Sequence, residues 1–227
     1  MTVISLPRPT RFFKSKVVMD HLDQVDLEDL RRSGLTDATI REAKFRTEND
    51  AAEISRILNW DKPATQLNGG LIIPFLYVDG HWNGFARVKP HCPRTDGKGK
   101  AFKYEQPRGV PSHALFTPLT VAYASDPSID IVILEGEKKA WRTHQAGFAC
   151  IGLCGVWAWQ KPKSEPRALI EELSSIDWAG RRVPICFDTD ENRNPNVNHA
   201  RAELARVLTD LGAKVYLIDF PLVREGK

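Results

Sequence analysis

The chain has 227 residues, 42% of them hydrophobic, and 32 Lys and Arg against 29 Asp and Glu give a formal charge of +3. That length holds one large or two small domains with a real core, and the composition is that of an ordinary soluble globular protein. No apolar run approaches a membrane span, and the opening Met1-Thr-Val-Ile-Ser-Leu-Pro-Arg-Pro-Thr-Arg11 lacks the apolar stretch of a signal peptide. The cysteines are Cys92, Cys150, Cys154 and Cys186, two of them in or beside expected core strands. A disulfide framework is not expected, and a reducing cytoplasm fits.

Residues 1–16 mix Pro, Arg, Lys and Ser without periodicity and read as a basic arm, either a tail or a contact for nucleic acid. Residues 17–67 read as a helical segment. Leu27 and Leu30 share a face, Gly34 stops that helix, and Thr36 caps a second with Ile40 and Ala43 inward. A third helical run covers Ala51 to Leu58. The helix pair is a packing unit or a DNA-reading helix-turn-helix; packing is the commoner use of such pairs.

Residues 68–125 read as a basic, hairpin-containing α+β subdomain. Two apolar runs, Leu71 to Val78 and His81 to Val88, are joined by Asp79-Gly80, a strong hairpin signal. Pro74 points to a free edge or a bulge in the first strand. Residues 87–108 then carry Arg87, Lys89, Arg94, Lys98, Lys100, Lys103 and Arg108 against Asp96 and Glu105, with His91, Phe102 and Tyr104 interleaved. Cations with aromatics suit a phosphate backbone and unstacked bases; a solvated loop is the plainer alternative.

Residues 126–222 alternate strand and helix, which implies a parallel sheet with right-handed crossovers. Ile131-Val-Ile-Leu134 is a buried strand, Glu135 stands at its end, Gly136 turns the backbone, and a helix over about 138–146 follows. Phe148 to Leu153 is the next strand, and Gly155-Val-Trp-Ala-Trp159 is a loop at the same sheet edge. Residues 166–174 read as a helix and 182–187 as a strand ending in Asp188-Thr-Asp190. Asn196 is expected to cap a helix with Val197, Ala200, Leu204, Val207 or Leu208, and Leu211 on one inward side, and residues 214–219 form the last strand.

Acids at the C-terminal tips of buried parallel strands lie where an open α/β sheet places its chemistry. Glu135, Asp188 and Asp190 can converge on one hard cation, and carboxylate oxygens suit Mg²⁺ or Mn²⁺. Glu137 reads as a helix N-terminal acid on the dipole. Lys138 and Lys139 sit at that helix start, where the dipole disfavours cations, which hints at a phosphate contact for one of them; solvent-facing lysines are the alternative. Trp157 and Trp159 stack on bases or form a small satellite core. Cys150-x-x-x-Cys154 is a weak zinc candidate, since no second pair accompanies it.

Glu135-Gly at one strand end and Asp188-x-Asp190 at a later one resemble the TOPRIM domain of primases, topoisomerases and certain nucleases. Glu135-Gly-Glu-Lys-Lys-Ala140, Gln145-Ala-Gly147, Gly152-Leu-Cys-Gly-Val-Trp157, Phe187-Asp-Thr-Asp190 and Asn194-Pro-Asn-Val197 resemble more closely the TOPRIM-like domains of phage and plasmid primase or replication proteins. The resemblance covers about 68–221. It implies an α/β, Rossmann-like, mostly parallel sheet flanked by helices and preceded by a smaller α+β basic domain. It also implies a bacterial-type primase catalytic core that uses Mg²⁺ or Mn²⁺, nucleoside triphosphates and a single-stranded DNA template. Asp188 and Asp190 would be metal ligands, and Glu135 a ligand or acid/base group. Arg87, Lys89 and Lys103 would face template and nucleotide, with Tyr104, Lys138, Lys139 and Trp157 as further binding residues. No cysteine/histidine zinc module and no P-loop helicase segment is apparent, so a separate zinc-binding module or helicase is expected as partner. The competing readings are a TOPRIM nuclease with Glu135 as general base, a haloacid-dehalogenase-type phosphatase, and a non-catalytic DNA-binding replication accessory.

Overall fold

The computed structural model describes residues 21–162, 166–188 and 195–219. The basic arm at 1–16 and Asp190 lie outside the described residues.

The chain starts with helices α1 (Gln24–Arg32) and α2 (Asp37–Glu42). Thr36 caps α2 by accepting the Thr39 backbone N–H, as its position before the apolar pattern predicts. Strand β1 (Arg46–Glu48) and helix α3 (Ala51–Leu58) follow, and Asp50 caps α3 through the Ala52 N–H. The hairpin forms as expected: β2 (Gly70–Leu76) pairs antiparallel with β3 (Trp82–Pro90), and the register shifts between Pro74 and Leu76. Pro cannot donate to the ladder, and the irregularity sits at that residue.

Strand β4 (Ala114–Phe116) and helix α4 (Pro118–Tyr123) lead into the alternating half. It comprises β5 (Val132–Glu135), α5 (Glu137–Gln145), β6 (Cys150–Leu153), α6 (Glu171–Ser174), β7 (Arg182–Cys186), α7 (Pro195–Asp210) and β8 (Lys214–Leu217). Helix α6 is shorter than the expected 166–174. The Ile170 N–H bonds the Trp159 carbonyl and the Lys161 N–H bonds the Ala168 carbonyl, so the segment before α6 is spent on extended pairing. Asn196 lies inside the first turn of α7 instead of capping it, and its side-chain oxygen accepts the Trp157 indole N–H at 3.0 Å. Val197, Ala200, Leu204, Val207 and Leu208 face inward as expected, but Leu211 falls past the end of α7 and is exposed.

Among the described residues, eight strands form one sheet in the order β1-β2-β4-β6-β5-β7-β8, with β3 on β2. The centre, β6-β5-β7-β8, is parallel. The wing of β1 to β4 is antiparallel and joins it where β4 pairs with β6. The fold is therefore mixed α/β with a parallel centre and flanking helices. Because β4 of the wing pairs with β6 of the centre, the two share one sheet.

The central strands bury both faces. Ile133, Ile151, Val183 and Ile185 pack with Leu173, Trp159, Leu204 and Leu208 on one side. Leu134 and Cys150 pack on the other with Ala140 and Trp141 of α5 and with Leu30, Ile40 and Phe45 of the N-terminal segment. Full burial of one such aliphatic side chain is worth about 1.5–3 kcal/mol. The helix pair α1–α2 is thus a packing unit against α5. Gln145 ties it there by accepting the Thr36 N–H at 2.7 Å and donating to the Gly34 carbonyl at 3.0 Å.

Two glycines set the position of α5. Gly136 turns from β5 into α5 at φ 98°, ψ 141°, a conformation open essentially to Gly. Gly152 faces α5 across β6, and a Cβ there would meet the Ala140 Cβ at 3.0 Å and the Gly136 carbonyl at 3.2 Å.

Candidate active site

Glu135 is the last residue of β5, and Asp188 follows β7 by two residues. The two strands are neighbours in parallel register, with Leu134 opposite Cys186, so both acids emerge at one sheet edge. They line a single cleft of about 390 Å³, together with Arg87, Lys103, Tyr104, Lys138 and Lys139. Most residues singled out in the sequence therefore meet in one place. Lys103 is solvent-exposed there, and Tyr104 is half-buried.

Three cations of the cleft, Arg87, Lys138 and Lys139, are held by carboxylates of the chain. Arg87 points from β3 to Glu137, the first residue of α5, and its Nη1 lies 2.5 Å from the Glu137 carboxylate. Glu137 is 2% exposed, so it is a buried ion-pair partner as well as a helix N-terminal acid. Burial opposes the charge on Arg87, but the Glu137 carboxylate outweighs it and raises the guanidinium above its ordinary value. The same guanidinium lies 4.7 Å over the Tyr104 ring. Burial also pushes the Tyr104 phenol up to about 12.

Asp29 of α1 is a site neighbour that the sequence did not disclose. Its carboxylate takes Lys89 at 2.7 Å and Lys138 at 3.0 Å. Burial works against the Asp29 charge, but the hydrogen bonds from the two lysines prevail and hold the carboxyl below its ordinary value. No local pattern could have found it, because Lys138 is 109 positions away. Lys139 pairs with Asp188. The two lysines at the start of α5 are thus placed by carboxylates, which explains cations at a helix end that the dipole disfavours.

Trp157 is not among the residues lining this cleft. Its ring packs under the Arg167 guanidinium at 4.6 Å and against His199 at 5.4 Å. Trp159 is fully buried in the core. Cys150 donates its thiol to the Ala140 carbonyl at 3.0 Å, and Cys154 donates to the His113 carbonyl at 3.3 Å. These contacts seat both sulfurs in the packing. A larger cleft, about 820 Å³, lies at the end of α3 and includes Trp60, Arg94, Glu105 and Arg108. Neither strand-tip acid lines it. Arg94 spans Glu105 with two hydrogen bonds of 2.8 and 2.7 Å and stacks on Trp60 at 4.7 Å, so part of the basic segment is structural.

Among the described residues, no three His, Cys, Asp or Glu side chains gather as a metal cluster. Glu135 and Asp188 nevertheless offer hard oxygen donors to one cleft, a donor set that fits Mg²⁺ or Mn²⁺. Mg²⁺ is typically held by one or two carboxylates with water and phosphate completing the shell.

Residues 121–227 match a family model described as a domain of unknown function, DUF3854. The Picosynechococcus sp. protein SYNPCC7002_B0001 is 30% identical over 173 residues, which covers 62% of this chain and 17% of that protein. The chain thus spans about a sixth of the curated relative it matches. The primase of Aquifex aeolicus, solved as its zinc-binding and RNA polymerase domains, superposes with a TM-score of 0.55 at 12% identity, covering 89% of this chain and 51% of that one. The DnaG catalytic core superposes with a TM-score of 0.54 at 12% identity, covering 88% and 66%. At that identity the likeness concerns the fold. The chain has the fold of bacterial primase catalytic cores.

Proposed function

We propose that this chain is a TOPRIM-type nucleotidyl-transfer core that synthesises primers on single-stranded DNA from nucleoside triphosphates. The observation that carries the reading is that Glu135 and Asp188, at the tips of adjacent parallel strands, share one cleft with Arg87, Lys103, Lys138 and Lys139. Glu135 and Asp188 would hold Mg²⁺ or Mn²⁺, with Asp190 as the third acid that the sequence pattern supplies. The bound ion would neutralise charge on the transferred phosphoryl group.

The chain's own residues do the rest. Lys103 is exposed at the cleft and is the residue best placed to meet a phosphate from solution. Lys138 and Lys89, ordered on Asp29, extend the cationic wall. The Tyr104 ring, with the Arg87 guanidinium over one face, is the aromatic of the cleft on which a base would stack. A zinc-binding module, a helicase, a phage, plasmid or other mobile-element setting, and a cytoplasmic location belong to the same proposal. No helix of the described residues is long and apolar enough to cross a membrane.

The test is an assay on labelled single-stranded DNA with Mg²⁺ or Mn²⁺, with and without nucleoside triphosphates. Short products that require nucleotides support the reading. Shortened DNA without nucleotides moves the assignment to a nuclease. One observation favours a non-catalytic accessory: Asp188 and Glu137 are already neutralised within the chain. DNA binding that survives loss of both strand-tip acids, with no product formed, would establish that role.

A further inference from the structure

We infer that Lys139 is a resident cation on Asp188 that a divalent ion must displace, so that the site exchanges an internal ammonium for its metal. This rests on the metal-dependent reading above. Lys139 lies in the first turn of α5, where the helix dipole disfavours a positive side chain, and its ammonium sits on the Asp188 carboxylate. Its neighbour Lys138 turns to Asp29 instead, so the two lysines are divided between two acids. Arg87 already balances Glu137. The counter-charge of Asp188 comes from an exposed, flexible side chain: Lys139 and Asp188 are 48% and 49% exposed.

The pair also stands between two cavities. Lys138, Lys139 and Asp188 line both the 390 Å³ cleft and a neighbouring one of about 580 Å³ that runs along α5 to Ser33 and Thr143. Opening the pair frees the carboxylate and removes a wall between the two spaces. A divalent ion and an ammonium cannot share one carboxylate without mutual repulsion, and an exposed lysine loses little by leaving. An arginine or lysine at 139 therefore competes with metal, and an uncharged side chain does not.

The test is Mn²⁺ binding, read from the paramagnetic signal of the free ion, on the full chain and on Lys139→Met, Lys139→Arg and Asp188→Asn. Because Lys139 is half-exposed, the variants are expected to fold, and circular dichroism checks that. The inference predicts that Lys139→Met binds Mn²⁺ roughly five- to tenfold more tightly, from loss of an exposed ion pair and of a like charge beside the ion. Lys139→Arg should stay near wild type, and Asp188→Asn should weaken binding. Equal or weaker binding by Lys139→Met, with Asp188→Asn still impaired, overturns the inference and leaves the metal site standing. Binding that Asp188→Asn leaves unchanged, or none in any form of the protein, overturns the metal-dependent reading and the inference with it.

Discussion

Arg87 of β3 and Glu137 of α5 are fifty positions apart and form one ion pair of 2.5 Å with both side chains nearly removed from water. The pair bolts the antiparallel wing to the helix that follows β5. It fixes the start of α5 and, through it, the positions of Glu135, Lys138 and Lys139. Removing one partner leaves a buried charge without its counter-ion, which costs about 3–5 kcal/mol. Glu137→Gln and Arg87→Met should each lower stability by that order in urea denaturation. The double variant Arg87→Met/Glu137→Leu should recover much of the loss, because a buried apolar pair tolerates such a site.

Gly136 offers a second, backbone test. At φ 98° and ψ 141° a side chain is strained by about 1–3 kcal/mol, although space around it is open. Gly136→Ala should therefore fold with reduced stability and should lose activity out of proportion, since it lies between Glu135 and Glu137. Denaturation and turnover measured on the same sample check the two effects.

The phenols report on burial. Tyr77 and Tyr104 are both pushed to about 12, chiefly by burial, with Glu172 acting on Tyr77 and Glu137 on Tyr104. In the unfolded chain both would ionise near the ordinary 10.0, so the folded state binds more protons above that pH. Their contribution is present below pH 10.0 and is lost as pH rises toward about 12. Two of the four tyrosines should titrate late by phenolate absorbance, and stability should fall across that window.

Thiol reactivity separates surface from core. Cys92 is exposed, whereas burial pushes Cys150 and Cys154 up to about 12. An aromatic disulfide reagent at neutral pH should modify Cys92 quickly and spare Cys150 and Cys154 until the protein is denatured, because the thiolate is the attacking species.

The fold was largely legible because its signals are local. Asp79-Gly80 marks the hairpin, Thr36 and Asp50 mark helix starts, and the Ile131 to Leu134 run marks the buried strand. Where the reading failed, a distant partner had prevailed over local pattern. Residues 168–170 suit a helix by composition but pair with 159–161. Asn196 suits a helix cap by position, yet it lies within α7 and its side chain accepts the Trp157 indole N–H. The strand-tip acids were visible because strand ends are visible. The counter-ions of Lys89, Lys138 and Lys139 were not, because Asp29 and Asp188 reach them only through the tertiary fold.

The most direct test of the account is primer synthesis on single-stranded DNA with Mn²⁺ and nucleoside triphosphates, comparing wild type with Asp188→Asn and Glu135→Gln, all three shown to be folded. The account predicts short products that need nucleotides and metal and that fall to background in both variants. Products of equal yield from all three proteins would contradict it, because the carboxylate cleft would then not be the seat of the chemistry.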